Sequence, residues 1–275
     1  MRIDAHHHFW DYTPAEYAWI DDRMKRIRRE FGPDDLEAEL AAAGIDGVVS
    51  VQARQSLAEN RSLLAHAARH DFIRGVVGWA PLVDPQAGKT LEALKRNPKL
   101  KGVRHVLHDE ADDRYMLRED FLRGVGLLKP FGLVYDILIF ERHLPQTLQF
   151  VDRFPDQVFV LDHIAKPKIA AGELSPWQGL IVELSHRPNV YCKVSGMATE
   201  ADWGAWTPEA LRPYFDTVLS AFGPRRLMFG SDWPVCLVAT EYVRWAETVR
   251  GWVADLSAAE QERILGGTAV EAYGL

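Results

Sequence analysis

The sequence predicts an α/β protein, a (β/α)8 barrel formed by a single domain over residues 1–275. The first observation is that eight short, almost continuously apolar segments, typical of strands buried on both faces, alternate with eight amphipathic stretches of helical period. The second is the chain length, which suits one barrel. The third observation counts against the main alternative, an open doubly wound sheet. Neither a Gly-x-Gly-x-x-Gly motif after the first strand nor a phosphate-binding loop occurs in the chain.

The strand predictions follow the segments rich in apolar and β-branched residues. One example is Val48-Val49-Ser50-Val51, which lacks the strict alternation of a strand that has one face in water. In chain order, the predicted strands cover residues 3–6, 47–53, 75–80, 102–107, 133–139, 158–163, 190–195 and 227–230.

The helix predictions follow the amphipathic stretches between the strands. In the first helix, Asp34 and Asp35 stand at the N-terminus, where carboxylates interact favourably with the helix dipole. Gly44 follows its C-terminus, where glycine readily adopts the left-handed conformation. The other helices are predicted at residues 57–70, 84–96, 119–129, 145–154, 177–187, 208–222 and 240–253.

Two connections are long enough to shape the mouth of the barrel. Residues 9–31 are long for a first βα-loop and contain the aromatic residues Trp10, Tyr12, Tyr17 and Trp19. This elaborated loop is interpreted as a lid that offers a stacking surface, with a packed surface flap or a dimer contact as alternatives. Residues 197–208, which contain two tryptophans, are interpreted as a second lid segment.

Composition excludes nucleic acid as an expected partner. Hydrophobic residues make up 47% of the chain and charged residues 26%, which is ordinary for a globular protein with a sizeable core. The formal net charge is −7, and no basic stripe exists to follow a phosphate backbone. The basic cluster at residues 23–29 is flanked by acidic residues and is interpreted as solvated surface.

The two cysteines, Cys192 and Cys236, are too few for a disulfide framework and form no Cys-x-x-Cys pattern. Zinc fingers and redox dithiols are therefore excluded, and a reducing compartment is expected. The chain shows no charged-then-apolar leader and no apolar run of membrane-spanning length. We expect a cytoplasmic, soluble protein without membrane partners, as a monomer or small homo-oligomer.

The most informative local pattern is Ile3-Asp4-Ala5-His6-His7-His8-Phe9-Trp10. Residues two apart in a strand point the same way, so His6 and His8 can reach a common point while His7 faces elsewhere. A tag fragment or a chance run is the alternative. A tag, however, normally lies in a polar linker and not between apolar residues.

Polar and ionisable side chains collect at the carboxyl ends of the predicted strands, where barrel enzymes place their chemistry. His6, His8, His163 and Asp232 are candidate ligands of one divalent metal ion of the zinc type, because imidazole nitrogens and carboxylate oxygens are usual zinc ligands. The alternative is a metal-free pocket shaped by the same four side chains. Asp232 is also the candidate base that takes a proton from an attacking water.

Three positive charges stand at the same strand ends: Arg54, Arg104 and Lys193. They are predicted to bind the substrate, because a guanidinium or ammonium group suits carboxylates and hydroxyl-rich ligands. The alternative for each is a structural ion pair with Asp136 or Asp162.

The remaining substrate-binding candidates are Trp10, Trp79 and His105, which lie in the first loop and at the ends of the third and fourth strands. Asp162 precedes His163 in the sixth strand. By strand alternation it is expected to point away from that histidine, so it is assigned to structure.

Five segments carry a more specific signal than any single residue. They are Ile-Asp-Ala-His-x-His-Phe-Trp at 3–10, Lys-Gly-Val-Arg-His at 101–105, Leu-Asp-His-Ile-Ala-Lys-Pro at 161–167, Tyr-Cys-Lys-Val-Ser-Gly at 191–196 and Phe-Gly-Ser-Asp-Trp-Pro at 229–234. Together they resemble the amidohydrolase superfamily and, within it, the branch of sugar-lactone and pyrone lactonases. The resemblance spans essentially the whole chain.

The resemblance implies a (β/α)8 barrel and the hydrolysis of a cyclic ester. His6 and His8 match the family's strand-1 pair, His163 the strand-6 histidine and Asp232 the strand-8 aspartate. The expected reaction is the opening of a sugar-acid lactone of the L-fucono, L-rhamnono or galactono type. Asp232 would take the water proton, while a metal on His6 and His8, or His163 itself, polarises the carbonyl.

The chain also departs from the superfamily pattern. Many members carry a Lys or Glu after strand 4 that bridges two metals and a His after strand 5, whereas this chain has Arg104-His105 and Asp136. One metal or none is therefore expected. A 2-pyrone-4,6-dicarboxylate lactonase, a metal-dependent decarboxylase of an aromatic or muconate-type acid, and a non-catalytic sugar-acid-binding barrel are the alternatives.

Overall fold

The computed structural model describes all 275 residues, and its strands form one parallel eight-stranded sheet that curls into a barrel. Strands that are consecutive in the chain are neighbours in the sheet. They are β1 (Ile3–His7), β2 (Gly47–Val51), β3 (Ile73–Gly78), β4 (Leu100–Val106), β5 (Val134–Leu138), β6 (Phe159–Leu161), β7 (Val190–Val194) and β8 (Leu227–Phe229). The predicted (β/α)8 barrel is confirmed.

The barrel closes between β1 and the segment that follows β8. The amide of His8 donates to the carbonyl of Trp233 at 2.7 Å, and the amide of Asp232 donates to the carbonyl of His6 at 2.7 Å. These bonds lie at the carboxyl end of β1. The closure therefore joins the two segments that carry three of the four predicted metal ligands.

A helix follows each strand, and two short helices end the chain. The helices are α1 (Pro33–Ala43), α2 (Leu57–Arg69), α3 (Ala87–Lys95), α4 (Glu119–Val125), α5 (Leu144–Asp152), α6 (Trp177–Ser185), α7 (Pro208–Phe222), α8 (Tyr242–Val253), α9 (Ala258–Glu262) and α10 (Thr268–Tyr273). The last two were not predicted. At α1 the carboxylate of Asp35 accepts from the amide of Gly32 at 3.0 Å, and Gly44 ends the helix with a φ of 62°.

Two apolar layers hold the barrel together. The larger layer lies between the strands and the surrounding helices. The smaller one combines strand residues such as Val49 and Val160 with Ala269 and Tyr273 of α10. Lys101 donates to the carbonyl of Gly274 at 2.7 Å, which places the end of the chain beneath the amino-terminal ends of the strands. The opposite, carboxyl end is left for the loops that carry the polar candidates.

Several strands are shorter at the carboxyl end than predicted. The predicted strand 158–163 ends at Leu161, because residues 163–166 take left-handed φ values between 48° and 64° that no strand accommodates. The second and eighth strands end at Val51 and Phe229. The polar residues at these positions therefore lie on turns above the barrel.

The elaborated first loop packs back onto itself. Trp10 and Phe31 exchange backbone hydrogen bonds of 3.0 and 2.9 Å, and the indole of Trp10 donates to the carbonyl of Arg29 at 2.9 Å. Within the basic cluster, Arg23 pairs with Asp21 at 2.6 Å, in keeping with a solvated surface. None of the helices has both the length and the apolar character needed to cross a bilayer.

Candidate active site

Four of the predicted site residues meet at the carboxyl end of the barrel. Nε2 of His6 lies 3.2 Å from Nε2 of His8, and Oδ1 of Asp232 lies 3.3 Å from the same atom of His8. Oδ1 of Asp232 also lies 3.7 Å from Nε2 of His6 and 3.9 Å from Nε2 of His163. All four side chains are buried.

The four candidates do not form a single ligand group. His6, His8 and Asp232 converge on one point, whereas His163 groups with His6 and Asp162. Zinc bonds of about 2.0–2.2 Å in a tetrahedral site place donor atoms about 3.4 Å apart, which matches the spacing of the first group. The first group therefore fits one divalent ion on three protein ligands, and His163 lies beside it, with Nε2 3.9 Å from Oδ1 of Asp232.

Other contacts orient the imidazoles. Nδ1 of His8 lies 2.8 Å from the carbonyl oxygen of Val51, and Nδ1 of His163 lies 2.8 Å from Oγ of Ser195. In both rings these contacts leave Nε2 facing the site. His7 points the other way and meets Oγ of Ser50 at 2.8 Å, which agrees with the alternation predicted for the strand.

The backbone around the site takes conformations that are costly for residues with a side chain. Asp232 has a φ of 60°, and His163, Ile164, Ala165 and Lys166 form a run with φ values of 53°, 49°, 64° and 48°. Left-handed geometry costs roughly 1–2 kcal/mol per residue and persists only where the surrounding structure enforces it. Such strain concentrates at functional sites.

Two glycines make room for the histidines. A Cβ on Gly196, whose φ is +64°, would lie 2.7 Å from Cγ and Nδ1 of His163. A Cβ on Gly230 would lie 2.9 Å from the Cβ of His6. Contacts this short are not tolerated, so both positions require glycine for the observed ring positions.

A chain of buried charges lies directly beneath the histidines. Nη1 of Arg104 contacts Oδ2 of Asp162 at 2.9 Å. Nζ of Lys193 contacts Oδ1 of Asp162 at 2.9 Å and Oδ2 of Asp136 at 2.6 Å. The hydroxyl of Tyr273 donates to Oδ2 of Asp136 at 2.8 Å. This network connects the active-site end of the barrel to α10 at the opposite end.

The network also reaches His6 from below. Nδ1 of His6 lies 3.1 Å from Nζ of Lys193 and 3.3 Å from Oδ1 of Asp162, while its Nε2 lies 3.3 Å from Nη1 of Arg104. An ion held at Nε2 would replace the contact with Arg104. The carboxylate of Asp162 lies between the two cations and balances their charge.

Burial dominates the pKa values in this region. It lowers the pKa of His6 and His163 well below the usual value, so both imidazoles are neutral near pH 7. Burial also raises the pKa of Asp136 to about 6, against the opposing effect of Lys193. Burial disfavours the charge on Asp162 as well, but the ammonium of Lys193 opposes it, and the pKa of that carboxyl lies well below its usual range.

These contacts correct one sequence-based expectation and show the surroundings of two other predicted residues. Asp162 points toward the histidines and not away from them, because β6 ends at Leu161 and strand alternation stops there. Arg104 and Lys193 are 3% and 0% exposed and are paired inside the barrel. Both cations stand beneath the mouth of the barrel, and their role in substrate binding stays a prediction.

Two further substrate-binding candidates have acidic partners. Arg54 is held by Glu59 at 2.9 Å and by Glu16. His105 contacts Glu110 at 2.6 Å and stacks on Tyr115.

The two tryptophans occupy different settings. Trp10 is buried in the first loop, with its ring centroid 6.3 Å from that of His8. The indole nitrogen of Trp79 is buried without a hydrogen-bond partner.

Two residues beside the site were not predicted. Nζ of Lys166 contacts Oε1 of Glu200 at 2.9 Å. Lys166 stands three residues after His163 in one of the segments that resemble the amidohydrolases, so its position was a usable signal. Glu200 lies in the second lid segment, where nothing in the local sequence distinguishes it from other acidic residues.

A family model described as amidohydrolase matches residues 3–275. The chain belongs to the amidohydrolase family. This match agrees with the barrel and with the histidines and aspartate gathered at its carboxyl end.

Individual relatives of this amidohydrolase are similar over their full lengths. The L-fucono-1,5-lactonase of Burkholderia multivorans is 42% identical, with 100% of this chain and 96% of the relative covered. The L-fucono-1,5-lactonase of Burkholderia ambifaria is 37% identical, with 99% and 95% covered. A crystal structure of an amidohydrolase from Burkholderia multivorans with bound zinc has a TM-score of 0.97 at 42% identity, with 100% and 99% covered. That zinc-bound structure and the group of His6, His8 and Asp232 support a divalent metal in this amidohydrolase.

Proposed function

We propose that this amidohydrolase opens a sugar-acid 1,5-lactone to the aldonate, and that L-fucono-1,5-lactone is the first substrate to test. One observation carries the proposal. A chain that is 42% identical throughout to an L-fucono-1,5-lactonase brings a buried carboxylate and three imidazoles together at the carboxyl end of its barrel. That set of groups suits attack by water on an ester carbonyl.

In the proposed reaction, Asp232 is the general base. Its Oδ1 faces the imidazoles of His6, His8 and His163, and its Oδ2 accepts the proton of the attacking water. A bond forms between the water oxygen and the acyl carbon, and the ring C–O bond breaks. Asp232 then gives the proton it accepted to the departing ring oxygen, which becomes the hydroxyl of the aldonate. Because the acid that forms ionises at pH 7, each turnover releases one proton.

His163 stands beside the base, with its Nε2 3.9 Å from Oδ1 of Asp232. Its imidazole is neutral, because burial lowers its pKa well below the usual value. Nδ1 lies 2.8 Å from the hydroxyl of Ser195, and we assign that hydroxyl as the donor, which leaves the ring proton on Nε2. We assign that N–H to the lactone oxygen that becomes negative. A divalent ion bound by His6, His8 and Asp232 would supply Lewis acidity to the same carbonyl and to the water.

The charge balance around the mouth favours a neutral sugar lactone over a pyrone dicarboxylate. A dicarboxylate needs at least two cations that are free to bind it. Lys166 is paired with Glu200, and Arg54 with Glu59. Arg104 is paired inside the barrel, as is Lys193. A hydroxylated ring without charge requires none of these pairs to break.

The test is proton release by the purified protein from L-fucono-, L-rhamnono-, L-galactono- and D-sugar lactones. We expect rapid acid release from L-fucono-1,5-lactone, well above buffer hydrolysis. Parallel assays of CO₂ release from aromatic acids and of 2-pyrone-4,6-dicarboxylate opening test the two alternative reactions. If a protein with a cooperative unfolding transition released no acid from any sugar lactone, the proposal would be overturned.

A further inference from the structure

Lys166 and Glu200 meet beside the active site, and the proposed reaction uses neither. Nζ of Lys166 lies 2.9 Å from Oε1 of Glu200. The two side chains are 16% and 22% exposed, so each is largely buried and still keeps one face open. A pair in this setting is held in place and can be reached by a ligand.

The left-handed turn after β6 directs Lys166 to the side on which His163 stands. The amide of Lys166 donates to the carbonyl of His163 at 2.8 Å, which closes a turn of three residues. Residues three apart in such a tight helical turn project to the same side. The indole of Trp177 donates to the carbonyl of Ile164 at 2.7 Å and anchors the turn from the outside.

Glu200 comes from the neighbouring loop, on the turn Ala198–Glu200 that follows β7. That turn packs against the turn Val235–Val238, which begins three residues after Asp232. Burial disfavours the charged form of Lys166, but the carboxylates of Glu200 and Asp232 outweigh it and hold the pKa of the ammonium above its usual value. The field of Asp232 therefore reaches Nζ, which agrees with a location at the mouth of the site.

We infer that Lys166 and Glu200 together bind hydroxyl groups on the ring of the substrate and select hydroxylated lactones over unsubstituted ones. An ammonium donates hydrogen bonds and a carboxylate accepts them, whereas a hydroxyl does both, so the pair complements a polyol. Because Glu200 neutralises Lys166, the pair is poorly suited to a carboxylate ligand. The ring of Phe140, centred 5.9 Å from Nζ, adds an apolar surface for the C–H groups of a sugar.

This inference rests on the proposed function only in taking the hydroxylated ring to be that of a lactone. Two readouts test it separately: binding of L-fucose, which carries hydroxyls and no ester, and kcat/KM for L-fucono-1,5-lactone and δ-valerolactone, which has no hydroxyls. The variants are Lys166→Met and Glu200→Gln. Lys168→Met is the matched control, because Lys168 is 60% exposed and its nearest carboxylates are 3.5 and 3.6 Å away.

We expect each pair variant to weaken L-fucose binding and to lower kcat/KM for L-fucono-1,5-lactone by about 10- to 100-fold, the range for a hydrogen bond to a charged group. Hydrolysis of δ-valerolactone should be unchanged, and the Lys168→Met control should match the wild type throughout. Glu200→Gln keeps the side-chain size and covers the case in which Lys166→Met fails to fold.

Three results would overturn the inference: L-fucose that does not bind the wild type, L-fucose that binds both variants equally well, or equal losses on the two lactones. The last of these would place Lys166 at the ester group. A wild type that hydrolyses none of the sugar lactones but binds L-fucose in a Lys166-dependent manner would overturn the proposed function and leave the hydroxyl-binding pair supported.

Discussion

The ammonium of Lys193 lies 2.6 Å from Oδ2 of Asp136 at the centre of the barrel, and neither side chain is exposed to solvent. The same ammonium contacts Asp162 at 2.9 Å and His6 at 3.1 Å. One buried cation thus joins two carboxylates to an active-site histidine. These contacts help to set where the ring of His6 stands.

The first prediction concerns that cation. Lys193→Met leaves the carboxylates of Asp136 and Asp162 buried without their shared partner, and removing one partner of a buried ion pair costs about 3–5 kcal/mol. We expect a loss of that size in the free energy of unfolding, measured by urea denaturation at pH 7.5. The double variant Lys193→Met/Asp136→Asn should lose less unfolding free energy, because one of the two unpaired buried carboxylates is removed. A single variant as stable as the wild type would contradict this account.

The second prediction concerns the base. Asp232→Asn removes the proton acceptor, and a positioned general base contributes about 10²–10⁴ to the rate. We expect kcat for L-fucono-1,5-lactone to fall by a factor in that range, while the thermal unfolding midpoint shows that the variant is folded. Near-normal turnover in a folded variant would reject Asp232 as the base.

The third prediction separates the two ligand groups. His8→Gln removes a donor of the group formed with His6 and Asp232, so zinc measured by mass spectrometry in the purified protein should fall well below that of the wild type. His163→Gln should keep its zinc and lose turnover. Equal zinc loss in both variants would show that His163 is also a metal ligand. Removal of the metal with a chelator, followed by readdition of Zn²⁺, tests whether activity follows occupancy.

The fourth prediction concerns the space around His163. Gly196→Ala would place a Cβ 2.7 Å from the imidazole, so turnover should fall at least tenfold as the ring moves. Gly172→Ala is the matched control, because Gly172 has a similar φ of +67° with nothing within 4 Å of the added atom. The control should lose about 1–2 kcal/mol of stability and keep its activity. Equal activity in the two variants would contradict the steric argument.

The fifth prediction concerns pH. Burial, with the nearby charge of Lys166, lowers the pKa of His108 from 6.5 to about 3. Between pH 6.5 and about 3, His108 is therefore protonated in the unfolded chain and neutral in the folded chain. The free energy of unfolding falls as the pH drops through this window.

His108→Phe keeps the stacking on Phe140 and removes the titrating group. We expect the loss of unfolding free energy between pH 7.5 and 5 to be smaller in the variant by about 2 kcal/mol. Urea unfolding at the two pH values measures it. Identical pH dependence in the two proteins would show that His108 is not the group responsible.

Much of this molecule was predicted from local sequence patterns. Burial on both faces leaves a strand almost continuously apolar, so periodicity indicated all eight strands and the helices between them. The spacing of His6 and His8 predicted that both imidazoles face one point, because strand residues two apart share a side. In barrel enzymes the active site lies at the carboxyl ends of the strands. This rule predicted His163 and Asp232 as active-site residues.

Only the tertiary structure decided which charges pair. Arg104 and His6 are 98 residues apart in the chain, and Lys193 and His6 are 187 apart, so no local pattern records their contacts. The turn after β6 is also decided by its surroundings, since left-handed φ values are unfavourable for His163 and for Lys166 in isolation. That turn reverses the expected direction of Asp162 and brings Lys166 to the mouth. Periodicity reports how each segment is buried, whereas the pairing of charges depends on distances that exist only once the barrel has closed.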